Sequence, residues 1–222
     1  MSNALAIAAV TAVLKSVLDN RLVERGVAQS LGDVSVTALP PDRISVGAEE
    51  RCQLNLFLYR LTPNTAWRRP RLPPEDGRAE GPAPLALDLH YLVTAYGEQD
   101  FQAEILLGHA LQLLHETPVL TRGRIRSALA APNGAGGALP PARAALAGAA
   151  LADQVEQIHV APEFTNTEEM ARLWSALQAR YRPSAAYKVS AVLLRADEAA
   201  LPPPAPAGAG RPARRVPAGS GD

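Results

Sequence analysis

Hydrophobic residues recur along this chain with two different periods. In residues 5–25, Leu5, Val10, Val13, Leu14, Val17, Leu18 and Leu22 fall on one broad apolar face at three- and four-residue spacings, which predicts a helix. Ser2 or Asn3 is placed to cap its start, and Gly26 stands where a helix-ending glycine belongs. The opposite face mixes Lys15, Asp19 and Glu24, which predicts a core-covering helix rather than one lying on lipid. Residues 34–39 predict a short strand halted by Pro40 and Pro41. Residues 51–61 predict a longer one, with Leu54, Leu56 and Leu58 on one side and Asn55, Phe57 and Tyr59 on the other. Residues 85–96 predict its counterpart: Leu87, Leu89, Tyr91 and Val93 face one way, Asp88, His90, Leu92 and Thr94 the other. Apolar residues on both faces predict a sheet covered on both sides.

Between these two strands, residues 68–84 hold Pro70, Pro73, Pro74, Pro82 and Pro84, which forbid helix. A connection this long exceeds the usual range and predicts a loop that contacts a partner. Residues 101–116 predict a helix. Phe101, Ile105, Gly108, Leu111 or Gln112, and His115 lie along one line, Leu106, Leu107, Leu111, Leu113 and Leu114 widen its apolar face, and Pro118 lies just beyond the end. Residues 124–129 add a helical turn, 130–141 read as an exposed low-complexity loop, and 154–160 as a strand stopped by Pro162. A helix follows from about residue 165 to Tyr181, started by a capping box of Thr165 with Glu168 or Asn166 with Glu169. Residues 186–194 predict a last strand. The expected fold is α/β (α+β): a single domain, residues 1–197, with a mixed, mostly antiparallel sheet packed with helices. Residues 198–222, rich in Pro, Ala, Gly and Arg, are expected to form a disordered tail.

Composition narrows the function. The chain of 222 residues has 22 basic and 22 acidic side chains, so its net charge gives no case for nucleic-acid binding. A single cysteine, Cys52, rules out an intrachain disulfide and an intrachain thiolate metal cluster. No apolar run reaches the ~18 residues of a membrane span, and no secretory leader is recognised, so a cytoplasmic protein without membrane insertion is expected. His90, His109, His115 and His159 form no metal-ligand pair at helical spacing. Asp88 and His90 alternate on one strand face, close enough to touch, but no nucleophile stands in a suitable turn beside them. No phosphate-binding glycine motif follows a strand. No catalytic group, cofactor or metal is therefore expected. Two basic clusters remain: Arg68, Arg69 and Arg71 beside Trp67, and Arg122, Arg124 and Arg126. An aromatic among arginines in a loop is interface chemistry, so Trp67, Arg68, Arg69, Arg71, Arg122 and Arg124 are the expected contact residues.

The strings Leu-Tyr-Arg-Leu-Thr-Pro-Asn-Thr-Ala-Trp-Arg (58–68) and Leu-Ala-Leu-Asp-Leu-His-Tyr-Leu-Val-Thr-Ala-Tyr-Gly (85–97) resemble signature segments of the cap, or tail-terminator, proteins of extracellular contractile injection systems. These are phage-tail-like particles of the antifeeding-prophage and virulence-cassette type. Further similar stretches are 106–120, 154–163, 173–177, 181–190 and 2–11, so the resemblance covers about residues 2–196 and departs at 130–150 and after 200. It implies a tail-terminator-like fold and a non-enzymatic protein. It implies partners as well: other copies of the chain in a hexameric ring, and the particle's inner tube and sheath, held at the end farthest from the baseplate. Two other readings stand beside it: a terminator or connector of another contractile phage tail, and a small ligand-binding or hydrolytic domain. The last predicts polar residues converging in one pocket.

Overall fold

The computed structural model of the protein describes residues 5–67, 85–130, 145–146 and 157–194. Six strands form one sheet in the order β1-β2-β3-β6-β5-β4. They are β1 (Ser35–Thr37), β2 (Gln53–Pro63), β3 (Leu85–Tyr96), β4 (Val119–Thr121), β5 (Gln157–Glu163) and β6 (Ser184–Leu194). The helices are α1 (Ala6–Glu24), α2 (Ala28–Leu31), α3 (Gln102–Glu116), α4 (Arg122–Leu129) and α5 (Thr167–Ala176). β1 runs parallel to β2 and every other neighbouring pair is antiparallel, so the expected mixed, mostly antiparallel α/β fold is the observed one.

The main core lies on one face of the sheet. Val10, Val13, Leu14 and Leu18 of α1, Leu106 and Leu113 of α3, and Ile125 of α4 pack with Leu54, Leu56, Leu89, Tyr91, Val93 and Val189. Each such large side chain contributes about 1.5–3 kcal/mol by leaving water. Tyr91 is completely buried here, and its phenol meets the Thr11 hydroxyl at 2.8 Å, so the one polar atom it brings into the core is satisfied. On the other face α5 lays Met170 and Trp174 over Leu92. The cover on both faces that β2 and β3 predicted is present over the centre of the sheet.

Several local expectations change. α1 ends as its glycine predicts: Gly26 holds φ +64°, and the Gly26 and Val27 amides close back on Val23 and Leu22. The N-cap residues Ser2 and Asn3 lie outside the described residues. α5 begins at the second of the two proposed boxes, with the Glu169 amide donating to Asn166 Oδ1 at 2.7 Å and the Asn166 amide to Glu169 Oε2 at 3.2 Å. It stops short of Tyr181, because Gln178 turns left-handed at φ +52° and the Gln178 and Ala179 amides return to Ser175 and Trp174. α3 shows a different face from the predicted line. Leu106, Ala110, Leu113 and Leu114 are buried, whereas Phe101 and Ile105 point to solvent.

The strand expected to stop before Pro162 runs through it to Glu163. Val160 donates its amide outward, to Pro118. The missing N–H of Pro162, two residues on, falls on that same outer side, beyond the start of β4, where no described strand needs it. β4 and α2 were not foreseen; each is only a few residues long and carries no periodicity to read. The low-complexity stretch lies outside the described residues from 131 onward, as does the expected tail, 198–222.

Candidate functional site

Among the described residues, the outer edge of β2 is paired over only part of its length. β1 pairs with it only from Gln53 to Asn55. There the Asn55 side chain takes over the work of a strand. Its Oδ1 accepts the Leu39 amide at 3.0 Å and its Nδ2 donates to the Leu39 carbonyl at 2.9 Å. Asn55 is fully buried, so this clamp pins the chain leaving β1 and ends the pairing. From Leu56 to Pro63 no described strand lies against the outer side of β2. Arg60 and Leu61 are exposed along this stretch, and the register with β3 slips between Leu58 and Arg60, a bulge that places Tyr59. A long open edge with an exposed leucine is a template for strand addition.

A polar knot on the outer sheet face fixes this edge. His90 of β3 is only 3% exposed. Its Nδ1 lies 2.7 Å from Glu163 Oε2, and its Nε2 lies 2.8 Å from the Thr62 hydroxyl. A carboxylate only accepts, so the hydrogen bond to Glu163 is donated by Nδ1. Arg60 Nη2 donates to Glu163 Oε1 at 3.0 Å, and the Tyr59 phenol donates to Oε2 at 3.3 Å. Burial first, and then the Glu163 charge, push the Tyr59 phenol above its ordinary pKa. Glu163 reaches His90 over β6 at Ala186, the residue paired with both Glu163 and Leu92, which presents only a methyl group.

Hydroxyl, imidazole and carboxylate thus stand in the order of a hydrolytic triad. Their setting is that of a latch. Thr62 sits in an extended strand rather than a tight turn, and neither Thr62 nor His90 lines the grooves at the ends of the sheet. The Arg60 guanidinium also binds the carboxylate that would have to serve the imidazole. Asp88, expected beside His90, instead accepts from Asn64 at 2.7 Å, because β3 slips its register with β6 between Leu87 and Leu89. The sequence reading missed Glu163. Its only local signal is an acid at an alternate position in a strand, with Ala161 two residues before it. Among the described residues no three His, Cys, Asp or Glu groups are placed to hold a metal ion.

A second knot closes the opposite end of the sheet. Glu50, 8% exposed, accepts the Gly97 amide on Oε1 at 3.1 Å, and on Oε2 the Arg182 guanidinium at 2.6 Å and the Gly47 amide at 3.3 Å. The same guanidinium sits 4.8 Å from the centre of the Tyr96 ring. Burial pushes the Tyr96 phenol up to about 12. Gly97 also lets the chain pass close to the start of α3, since a Cβ there would stand 2.7 Å from Gln102 Cβ. Cys52 is buried, and burial pushes its thiol up, which fits an inert side chain.

The expected contact residues divide. Trp67 ends a 3-10 turn, Thr65–Trp67, that follows β2, while Arg68, Arg69 and Arg71 lie outside the described residues. Arg122 and Arg124 form the first turn of α4; Arg124 is exposed and Arg122 half-buried. Thr121 pairs with Gln157, two residues before the His159–Ser190 pair, and Val192, two residues after Ser190, pairs with Leu87 and through it Pro63, so α4 starts at the same end at which β2 gives way to the Trp67 turn. Four strand spacings of ~4.8 Å, roughly 19 Å, separate β2 from β4 along that row, so the start of α4 and the end of β2 share one end of the sheet without touching.

Solved structures similar to this chain include two terminators of contractile particles. One is the sheath/tube terminator of an extracellular contractile injection system, PVC, in its extended state, at 16% identity and a TM-score of 0.46, covering 81% of this chain and 56% of the other. The other is the tube-terminating cap of the anti-feeding prophage, at 16% identity and a TM-score of 0.45, covering 81% of this chain and 54% of the other. The chain thus spans a little over half the length of either. No curated protein matches it at the sequence level. The sequence model of the Pvc16 N-terminal domain matches residues 9–206, a span that takes in all six strands and most of the chain, and the chain belongs to that family.

Proposed function

We propose that the chain is a non-enzymatic structural protein that caps a phage-tail-like contractile injection particle. Copies of it form a ring, a homohexamer, on the end of the inner tube and sheath farthest from the baseplate. The observation that carries this reading is the family match over residues 9–206. The physical logic is that a growing helical stack offers the same unpaired interface at every step, and a closed ring that mates with one face only ends the growth. The open edge of β2 supplies a surface on which a sheath segment adds as a strand. Residues 1–197 act as the capping domain with 198–222 appended. Trp67, Arg68, Arg69, Arg71, Arg122 and Arg124 contact neighbouring subunits or sheath. Assembly takes place in the cytoplasm.

The test is particle length. Particles produced without the chain should show tubes and sheaths of variable length by electron microscopy, and complementation should restore a uniform length. The mass of the chain in purified particles should correspond to one ring of six. Uniform particles in its absence overturn the reading.

A further inference from the structure

β4 pairs with β5 only as far as His159, and from Ala161 to Glu163 no described strand lies against the outer edge of β5. A groove of about 350 Å³ opens beside this bare stretch. Pro162, Phe164, Met170, Tyr181 and Tyr187 line it, with Thr165 and Ser184 among its polar members. Phe164 is 91% exposed and Tyr181 57% exposed, and the Tyr181 ring rests 6.1 Å, centre to centre, from that of Trp174. Neither the Tyr181 nor the Tyr187 phenol has a hydrogen-bond partner among the described residues. Aromatic walls with free hydroxyl donors suit a polyproline II segment, whose rings pack on aromatic faces and whose carbonyls have no partners of their own.

The chain carries such a segment. Residues 202–206 read Pro-Pro-Pro-Ala-Pro, and they follow β6, which ends at Leu194. From Leu194 back along β6 to Ala186, which lines the groove, is about 26 Å at ~3.3 Å per residue. From Leu194 forward to Pro203 the chain spans up to about 30 Å, so the segment reaches the groove of its own copy. The return path passes Lys188, which pairs with His90 and shares its face of the sheet. Lys188 is half-buried and has no ion pair among the described residues. Two acids, Asp197 and Glu198, stand between Leu194 and the prolines. The proline-rich connection 68–84 is anchored at both ends, on β2 and β3, whereas the tail is anchored at one.

The geometry points to a docking site for the chain's own tail: residues 202–206 lie in the aromatic groove as a polyproline II segment, with Asp197 and Glu198 meeting Lys188 on the way. The contact shuts the bare end of β5 with residues that, apart from Ala205, have no N–H to offer a further strand. The inference stands apart from the capping reading.

Cross-linking within the full chain tests it. Thr167, at the groove, and Ala205 are replaced by cysteine in one chain and bridged with a short bifunctional maleimide; Cys52 is buried and stays out of the reaction. The bridge forms within one molecule at a rate that dilution does not change. Phe164→Ala, or Pro203→Ala together with Pro206→Ala, slows it at least about fivefold. These changes touch only the surface and the tail, so the melting curve stays in place. Lys188→Glu slows the bridge as well, and adding Asp197→Lys and Glu198→Lys to that variant restores it. A rate indifferent to Phe164→Ala and to the proline changes overturns the site. A bridge that forms only between copies gives the groove to a neighbour's tail, and a faster bridge to Arg71→Cys than to Ala205→Cys gives it to the connection between β2 and β3; either result overturns the assignment. All of these readouts come from the purified chain, so failure of the capping reading leaves them untouched.

Discussion

Glu163, the last residue of β5, accepts from His90 of β3 at 2.7 Å across the intervening strand β6. The bond joins strands that are not neighbours, so it resists shear between β3, β6 and β5 rather than adding to any one ladder. It also holds the start of the connection to α5, whose Trp174 and Met170 cover Leu92 on the same face. Glu163→Ala leaves the buried His90 Nδ1–H and the Arg60 guanidinium without their acceptor. The expected loss is about 2–3 kcal/mol in urea unfolding. Glu163→Gln keeps an acceptor and should cost about 1 kcal/mol. Equal losses for the two variants would show that packing, not the hydrogen bond, sets the cost.

Asn55 does for Leu39 what a neighbouring strand would do, filling both its amide and its carbonyl. Asn55→Ala removes the partner of both groups at once. We expect a loss of about 2 kcal/mol and faster amide exchange at Leu39. Asn55→Asp keeps the acceptor and loses the donor, so it should fall between. Unchanged exchange at Leu39 in Asn55→Ala would argue that water fills the gap.

Much of the fold is legible in the chain, for reasons of scale. β2 and β3 are long enough for period-two alternation to fix both faces, and Asn166 with Glu169 marks the start of α5 by chemistry confined to four residues. α3 is misread because leucines occupy so much of its circumference that two different lines pass for its core face; only tertiary packing selects Leu106, Ala110 and Leu113. Pro162 misleads because a proline stops a strand only where its N–H has a partner to lose. The latch is illegible because His90 and Glu163 meet only through the strand order β3-β6-β5, which no local pattern encodes. The family was reached through the strings of β2 and β3, not through any site chemistry.

Glu116, at the end of α3, receives Arg25 at 2.5 Å and Arg21 at 3.4 Å from the end of α1. The hydrogen bond from Arg25 holds its carboxyl below the ordinary value of 4.5. A folded-state pKa below the unfolded one favours the folded protein once the unfolded carboxyl would be ionised. The contribution is therefore present above pH 4.5 and is lost as the pH falls through the lower folded value. Glu116→Gln should flatten the stability curve in that acid window and leave its slope near neutrality unchanged. An acid limb identical to the wild type would show that the α1–α3 ion pair adds nothing to stability.

Leu61 sits 46% exposed on the open stretch of β2, past the reach of β1 and next to Arg60 of the latch. Leu61→Lys changes a surface side chain on a strand that β3 already pairs, so the folded domain should keep its stability within about 0.5 kcal/mol. A lysine on an exposed edge is, however, a device by which natural sheets refuse a further strand. If a sheath segment adds to β2, particles made with Leu61→Lys should lose sheath attachment at the capped end while the tube is still terminated. The expected image is a tube of normal length with the sheath slipped or missing beside the cap. Intact sheath contacts in that variant would place the sheath on another surface.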